Sequence, residues 1–339
     1  MKKTYLLLLT LVITSCIPEE SPVTPKDRGD LTTGYMQKSI YDYQGFFDLS
    51  SNQFITYNHK TSWDIALDCS ENYIILNGGR PVRAAMIESS DFIGANETLM
   101  PDSVYIDEPT GEWDKSALGR WWIDDAGNQT QQSKIFYIDR GRDERRRPLG
   151  IFKFQVTNWD NESYTIQFGD IKKQQIYQMK VKRNPDYNFV YVNFSDTTKL
   201  QQVEPQKNQW DLLFTENSEY VPLDAIGVSQ ETDAIPYQVR GVYLNPSSVE
   251  AILYTNPDSL DFKDIKREDI QLLTLSKNLN AIGYDWKAFS LQGDAYTVYS
   301  NKYYIIKNRF GLLYKLRFIS YFSKEGGERG FTTFEYQQL

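Results

Sequence analysis

The chain repeats itself, and a repeat constrains its fold more than composition does, because both copies must adopt the same local structure. In the first half, Phe46-Phe47-Asp48-Leu49-Ser50 precedes Trp63-Asp64-Ile65-Ala66-Leu67. In the second, Tyr191-Val192-Asn193-Phe194-Ser195 precedes Trp210-Asp211-Leu212-Leu213-Phe214. The match returns where Lys134-Ile135-Phe136-Tyr137-Ile138 corresponds to Lys302-Tyr303-Tyr304-Ile305-Ile306. After a turn, the segment from Leu149 to Phe154 corresponds to that from Phe310 to Leu316, within one residue. Closing segments follow at 164–168 and 331–336. These matches in one order make the chain a tandem duplication.

Each copy reads as antiparallel strands. Tyr314, Leu316 and Phe318 alternate with Lys315 and Arg317, which places the first set inward and the second in water. Aromatic residues make up 14% of the chain, a bias that favours strands and sandwich or barrel cores. Asn77-Gly78-Gly79 and Gly326-Gly327 are expected to supply the positive φ of tight hairpins. Helix is scarce, the best candidate being Asp261 to Leu273, where Phe262, Ile265 and Ile270 can share a face. The fold class is therefore all-β, as two tandem modules at 35–175 and 176–339 that meet near Ile171 to Asp186. Trp63 and Trp210 belong inside their sheets. Trp121-Trp122 and Trp286 occupy matching places and read as core rather than as sugar-stacking platforms.

The amino terminus carries an export signal. Lys2 and Lys3 precede an apolar run from Leu6 to Ile13 that is too short to cross a bilayer as a helix. Ile13-Thr14-Ser15-Cys16 has the aliphatic, small, small, cysteine order of a lipobox, so residues 1–15 read as a signal peptide and Cys16 as the lipidation site. Residues 16–34 are polar and proline-bearing, too poor in apolar surface to order, and read as a tether. Glu19-Glu20 resembles a surface-export signal, which points to the outer membrane. With Cys16 lipidated, Cys69 has no partner and no disulfide framework exists. The net charge of −8, falling to about −10 when Lys2 and Lys3 leave, disfavours nucleic acid.

Several segments together resemble the HmuY-like family of surface lipoproteins in its longer, two-module form. They are TSWDIALDCSENYIILNGG (Thr61 to Gly79), QWDLLFTENSEY (Gln209 to Tyr220), YQVRGVYLN (Tyr237 to Asn245), AIGYDWK (Ala281 to Lys287) and the ending YYIIKNRFGLLYKLRFISYFSKEGGERGFTTFEY. The resemblance covers nearly the whole mature chain. It implies an all-β fold, capture of haem or another tetrapyrrole for iron acquisition, and an outer-membrane receptor as partner.

Haem iron needs imidazole, thioether, thiolate or phenolate donors. The family's founding members use two axial side chains, usually histidines. His59 is the one histidine here, and from about Tyr191 onward the chain has no His, Met or Cys. The donor candidates are therefore Met86, Met100 and His59. Read from the residues alone, Met86 is a strand-core residue, Met100 a loop residue and His59 a turn residue. Arg140, Arg142, Arg145, Arg146 and Arg147 form the one basic cluster, at a hairpin tip longer than its counterpart. It suits haem propionates, lipopolysaccharide phosphates or an acidic partner, and equally a solvated tip. One histidine excludes a two-His zinc site, and no phosphate-cradling loop occurs. The chain reads as a binding module rather than an enzyme. The alternative to haem is an interaction or adhesion protein that binds glycan, peptide or a partner protein on the same scaffold.

Overall fold

The computed structural model describes residues 29–125, 128–131, 134–223, 234–255, 260–290 and 295–339; the signal peptide, Cys16 and most of the tether lie outside them. The chain begins with β1 (Thr32–Tyr35), β2 (Tyr43–Asp48), β3 (Gln53–His59), β4 (Ile65–Asp68), β5 (Ile74–Leu76) and β6 (Arg83–Ile87). It continues through β7 (Trp122–Asp125), β8 (Asn128–Gln131), β9 (Ile135–Asp139), β10 (Ile151–Trp159), β11 (Ser163–Asp170), β12 (Tyr177–Lys182) and β13 (Phe189–Val192). The remainder is β14 (Leu212–Pro222), β15 (Ala234–Leu244), β16 (Glu250–Tyr254), β17 (Lys287–Ser290), β18 (Ala295–Val298), β19 (Tyr303–Lys307), β20 (Leu313–Phe322) and β21 (Arg329–Gln338).

The all-β, two-module antiparallel architecture expected from the repeat is the one observed. One five-stranded sheet has the order β12-β11-β10-β9-β6, and its counterpart has the order β1-β21-β20-β19-β16. Two smaller sheets, β13-β4-β5 and β15-β14-β2-β3, complete the modules, with short hairpins β7-β8 and β17-β18 beside them. Among the described residues no helix is long and apolar enough to cross a membrane.

The first strand of each copy pairs with the Trp-Asp strand of the other. β13 lies against β4, with Val192 opposite Ile65. β2 lies against β14, with Phe47 opposite Leu212. The neighbouring edges follow suit, because β1 closes the second sheet against β21 while β12 closes the first against β11. Each large core is thus built from both ends of the repeat. Ile65, Leu67, Phe154 and Ile166 pack with Val192 and Phe194, while Leu212, Leu244, Leu316 and Phe334 pack with Met36, Phe47 and Leu49. A division at 175/176 therefore cuts across paired strands. The segment from Ile171 to Asp186 is no junction either: most of it is β12 and its approach, inside the first sheet.

Three local expectations are corrected. Asp261 to Leu273 forms two short 3-10 turns, Phe262–Asp264 and Arg267–Ile270, instead of a helix. The cause is Lys315, whose ammonium takes the carbonyls of Phe262, Lys263 and Ile265 (3.0 Å to Ile265), oxygens an α-helix would need for its own ladder. That same lysine is fully buried, not in water as the alternation predicted. Lys153 does the same in the first module, reaching the carbonyls of Ile93 (3.1 Å) and Ala95 (3.2 Å). Gly327 has the expected positive φ of 68°, but Gly78, Gly79 and Gly326 do not. Gly78 is needed for close approach instead: a β-carbon there would sit 1.6 Å from Asn217 Oδ1, on the other module.

Candidate binding cleft at the module seam

The two Trp-Asp strands meet their exchanged partners through one repeated set of bonds. The Asp64 N–H donates to Val192 O (2.8 Å), and the Asp211 N–H donates to Phe47 O (2.8 Å). The Asp64 carboxylate accepts from the Phe194 N–H (2.6 Å), as the Asp211 carboxylate accepts from the Leu49 N–H (2.9 Å). Asn77 donates its amide to the carbonyls of Lys60 and Trp63 (both 2.7 Å), and Asn245 does the same to Lys207 and Trp210 (both 2.8 Å). The duplication is thus preserved in these bonds of the Trp-Asp strands.

These bonds turn the tryptophans toward the seam. Trp63 packs edge-on to Tyr191 at 5.0 Å and Trp210 edge-on to Phe46 at 4.9 Å. With Ala66, Tyr73, Phe189 and Val203 they form a buried cluster drawn from both modules. Beside it opens a mainly apolar cleft of about 130 Å³, walled by these rings together with Leu213, Tyr243 and Leu244. The indole N–H groups of Trp63 and Trp210 are buried there without a hydrogen-bond partner among the described residues.

Carboxylates rim the cleft. Glu216 is held across the seam by Lys60 (2.7 Å) and on its own module by Arg240 (2.5 Å). Burial pushes Asp107 up to about 6, against the opposing pull of the Leu76 and Ala117 N–H groups. Burial likewise pushes Glu204 up to about 7, although it accepts from the Phe189 N–H at 2.7 Å and from Asn188 at 3.1 Å. Just behind the wall, Glu219 bonds Tyr243 OH at 2.8 Å and is also pushed up to about 7 by burial.

The cleft does not suit haem iron. Among the described residues no His, Met or Cys lines it. Its phenols Tyr73, Tyr191 and Tyr243 are all pushed above their ordinary value by burial, which opposes the phenolate that iron requires. About 130 Å³ is also well below the roughly 300–1,000 Å³ of pockets for drug-sized ligands. Among the described residues no three His, Cys, Asp or Glu side chains gather as a metal site.

The donors singled out from sequence lie elsewhere. Met86 is 44% exposed on β6 rather than packed in the core, and Met100 is 37% exposed in a loop. His59 ends β3 instead of occupying a turn. Its Nδ1 lies 2.8 Å from Thr61 Oγ1 and 3.4 Å from Glu144. None of the three lines the seam cleft. Cys69 is buried, and burial pushes its thiol up to about 11, which leaves it unreactive. Of the arginines, Arg142, Arg145, Arg146 and Arg147 form the exposed tip between β9 and β10, but Arg140 is buried against Asp64. Trp121, Trp122 and Trp286 are all buried, as their matched placement implied. The acids Asp107, Glu204 and Glu216 carried no signal in the sequence, since they are three among 45 acidic residues.

A family model described as HmuY protein matches residues 40–336. No curated protein matches the chain. Three solved structures align along most of it. A protein described as HmuY-like and heme-binding, from Bacteroides vulgatus, is 11% identical, with 91% of this chain and 94% of that one covered and a TM-score of 0.23. Apo PinO from Porphyromonas is 10% identical over 91% and 97%, with a TM-score of 0.26. The apo HmuY analogue TFO of Tannerella forsythia is 9% identical over 92% and 98%, with a TM-score of 0.24. These superpositions are loose, so the assignment rests on the family model.

Proposed function

The chain belongs to the HmuY family, and from that premise we propose that it is a lipid-anchored binding protein of the outer-membrane surface whose ligand enters the seam cleft. The carrying observation is the cleft itself: aromatic walls drawn from both copies, with Asp107, Glu204 and Glu216 among its lining residues. Such walls favour a compact, largely apolar ligand, held without a bond to iron. Aromatic contact and burial supply the affinity; the lining carboxylates orient the ligand. The chemistry is capture, not turnover.

A second reading keeps haem, which the family suggests. It is favoured by the exposure of Met86 and Met100, whose thioethers stand outside the packed core. Titrating haemin into the mature full chain in detergent separates the two. The cleft reading expects no sharp Soret band of ligated iron. A sharp band that disappears in Met86→Ala or Met100→Ala chains would replace it with the haem reading.

Anchoring is tested separately. Cys16→Ala is expected to move the protein from the membrane fraction to the soluble fraction, because a diacylglycerol chain pair is the strongest attachment the sequence offers. A variant that stays as firmly bound as the parent removes the lipid from the proposal.

A further inference from the structure

The two copies of the Trp-Asp site have diverged in charge. In the second module Asp211 and Asp48 share one guanidinium, Arg309, at 2.8 and 2.9 Å. In the first module the order is inverted, and the single carboxylate of Asp64 faces two guanidiniums. Arg140 reaches it through Nε (2.9 Å) and Nη2 (3.0 Å), and Arg80 contacts it through Nη2. Asn193 stands where the other copy has Asp48, so the second carboxylate is missing. Both arginines are 3% exposed. Arg80 donates Nη1 to Thr61 O at 2.9 Å, but its Nε is buried with no hydrogen-bond partner among the described residues.

These groups form the floor of a polar cleft of about 390 Å³ that shares no lining residue with the seam cleft. Arg145 and Arg147 come from the longer hairpin tip, with Asp143 and Glu144 beside them and Asn193 and Ser195 opposite. The other charges nearby are accounted for. Asp143 is bound by Arg147 at 2.7 Å, Glu144 stands beside His59, and Asp139 accepts the Gly141 N–H at 3.0 Å. Asp170 also raises the tendency of Arg140 to stay charged, though burial acts more strongly and lowers both buried arginines, Arg80 to about 9 and Arg140 to about 10.

We propose that this cleft binds an oxyanion of the phosphate type, carried by a small solute or a lipid headgroup, with Arg80 and Arg140 as its floor and Arg145 and Arg147 as its rim. A buried cation in excess of its counter-charge costs desolvation energy that a bound anion offsets. Guanidinium forks match tetrahedral oxyanions, and ligand bonds to them are charge-assisted. The room exceeds what one phosphate fills, so the cleft also admits a phosphate that ends a larger molecule.

The test titrates inorganic phosphate into the mature full chain in detergent, at constant ionic strength set with chloride, and follows binding by calorimetry. Saturable binding is expected, at least tenfold weaker in the exposed-tip double variant Arg145→Gln/Arg147→Gln, which leaves the buried ion pairs intact. Arg80→Lys, which keeps the charge and loses the fork, is expected to weaken binding with its circular dichroism unchanged. Flotation of the Cys16→Ala chain with phosphatidylglycerol vesicles then identifies the source. Flotation that phosphate competes away indicates a headgroup, and its absence alongside phosphate binding indicates a solute. The proposal is overturned if phosphate does not bind, or binds the tip variant as it binds the parent.

Discussion

Replacing Trp210 with alanine is expected to cost about 3–5 kcal/mol of folding stability, the range for emptying a buried tryptophan site. Trp210 is 2% exposed, and its ring lies edge-on against Phe46 of β2, a strand from the far end of the chain. The cavity therefore opens at the seam, where Trp63, Tyr191 and Val203 are also packed. Surrounding strands are pinned by the Asp211 and Asn245 bonds, so the site has little freedom to collapse. Trp63→Ala should cost a similar amount, and the double variant should fall short of the sum because both rings belong to one cluster. Since each core contains strands from both ends of the repeat, unfolding should remain one cooperative transition. Urea denaturation followed by far-ultraviolet circular dichroism measures both points, with the half-exposed Trp113→Ala expected to cost less. A loss below 1 kcal/mol at Trp210, or two separated transitions in the parent, contradicts the packing described.

That packing shows which parts of the fold the sequence could reveal. The alignment of Phe47 with Val192 and of Leu49 with Phe194 is the alignment the hydrogen bonds obey, because identical strand patterns make identical bonds. The same identity hid the exchange of strands. A first strand that fits one Trp-Asp strand fits the other, so alternation cannot say which partner it takes. Lys315 misled for a related reason. Its position alternates outward, yet the outward face of β20 is roofed by the segment whose carbonyls it bonds. Met86 misled in the opposite sense, since an apolar residue within a strand reads as core wherever its neighbours are core. The cleft was legible only as a set of inward-facing aromatic positions in two copies. Its acids were not, because burial after strand exchange is what sets them apart.

Those acids give the second large effect, a rise in stability on mild acidification. Glu204 is pushed from an ordinary 4.5 to about 7, first by burial and further by Asp68, while bonds from Phe189 and Asn188 pull the other way. Glu219 reaches about 7 and Asp107 about 6 for the same leading reason. A carboxyl raised in the folded state binds its proton more tightly when folded than when unfolded. Its contribution is then complete below the unfolded value and lost as pH climbs through the folded one. The window therefore runs from about pH 4.5 to about pH 7, with the chain more stable at its acid end. At roughly 1.4 kcal/mol per unit, Glu204 alone accounts for roughly 3 kcal/mol between pH 8 and pH 5. Burial pushes Asp48 up, but bonds from Arg309, Ser51 and Ser50 outweigh it and lower it, so its contribution opposes the gain as pH falls through that lowered value. Glu204→Gln removes one titrating group while retaining an acceptor for the Phe189 N–H. Its pH 5 to pH 8 difference in urea stability should shrink by roughly 3 kcal/mol relative to the parent. An unchanged difference means Glu204 is solvated in the folded protein, and with it that the cleft stands open to water on the Glu204 side.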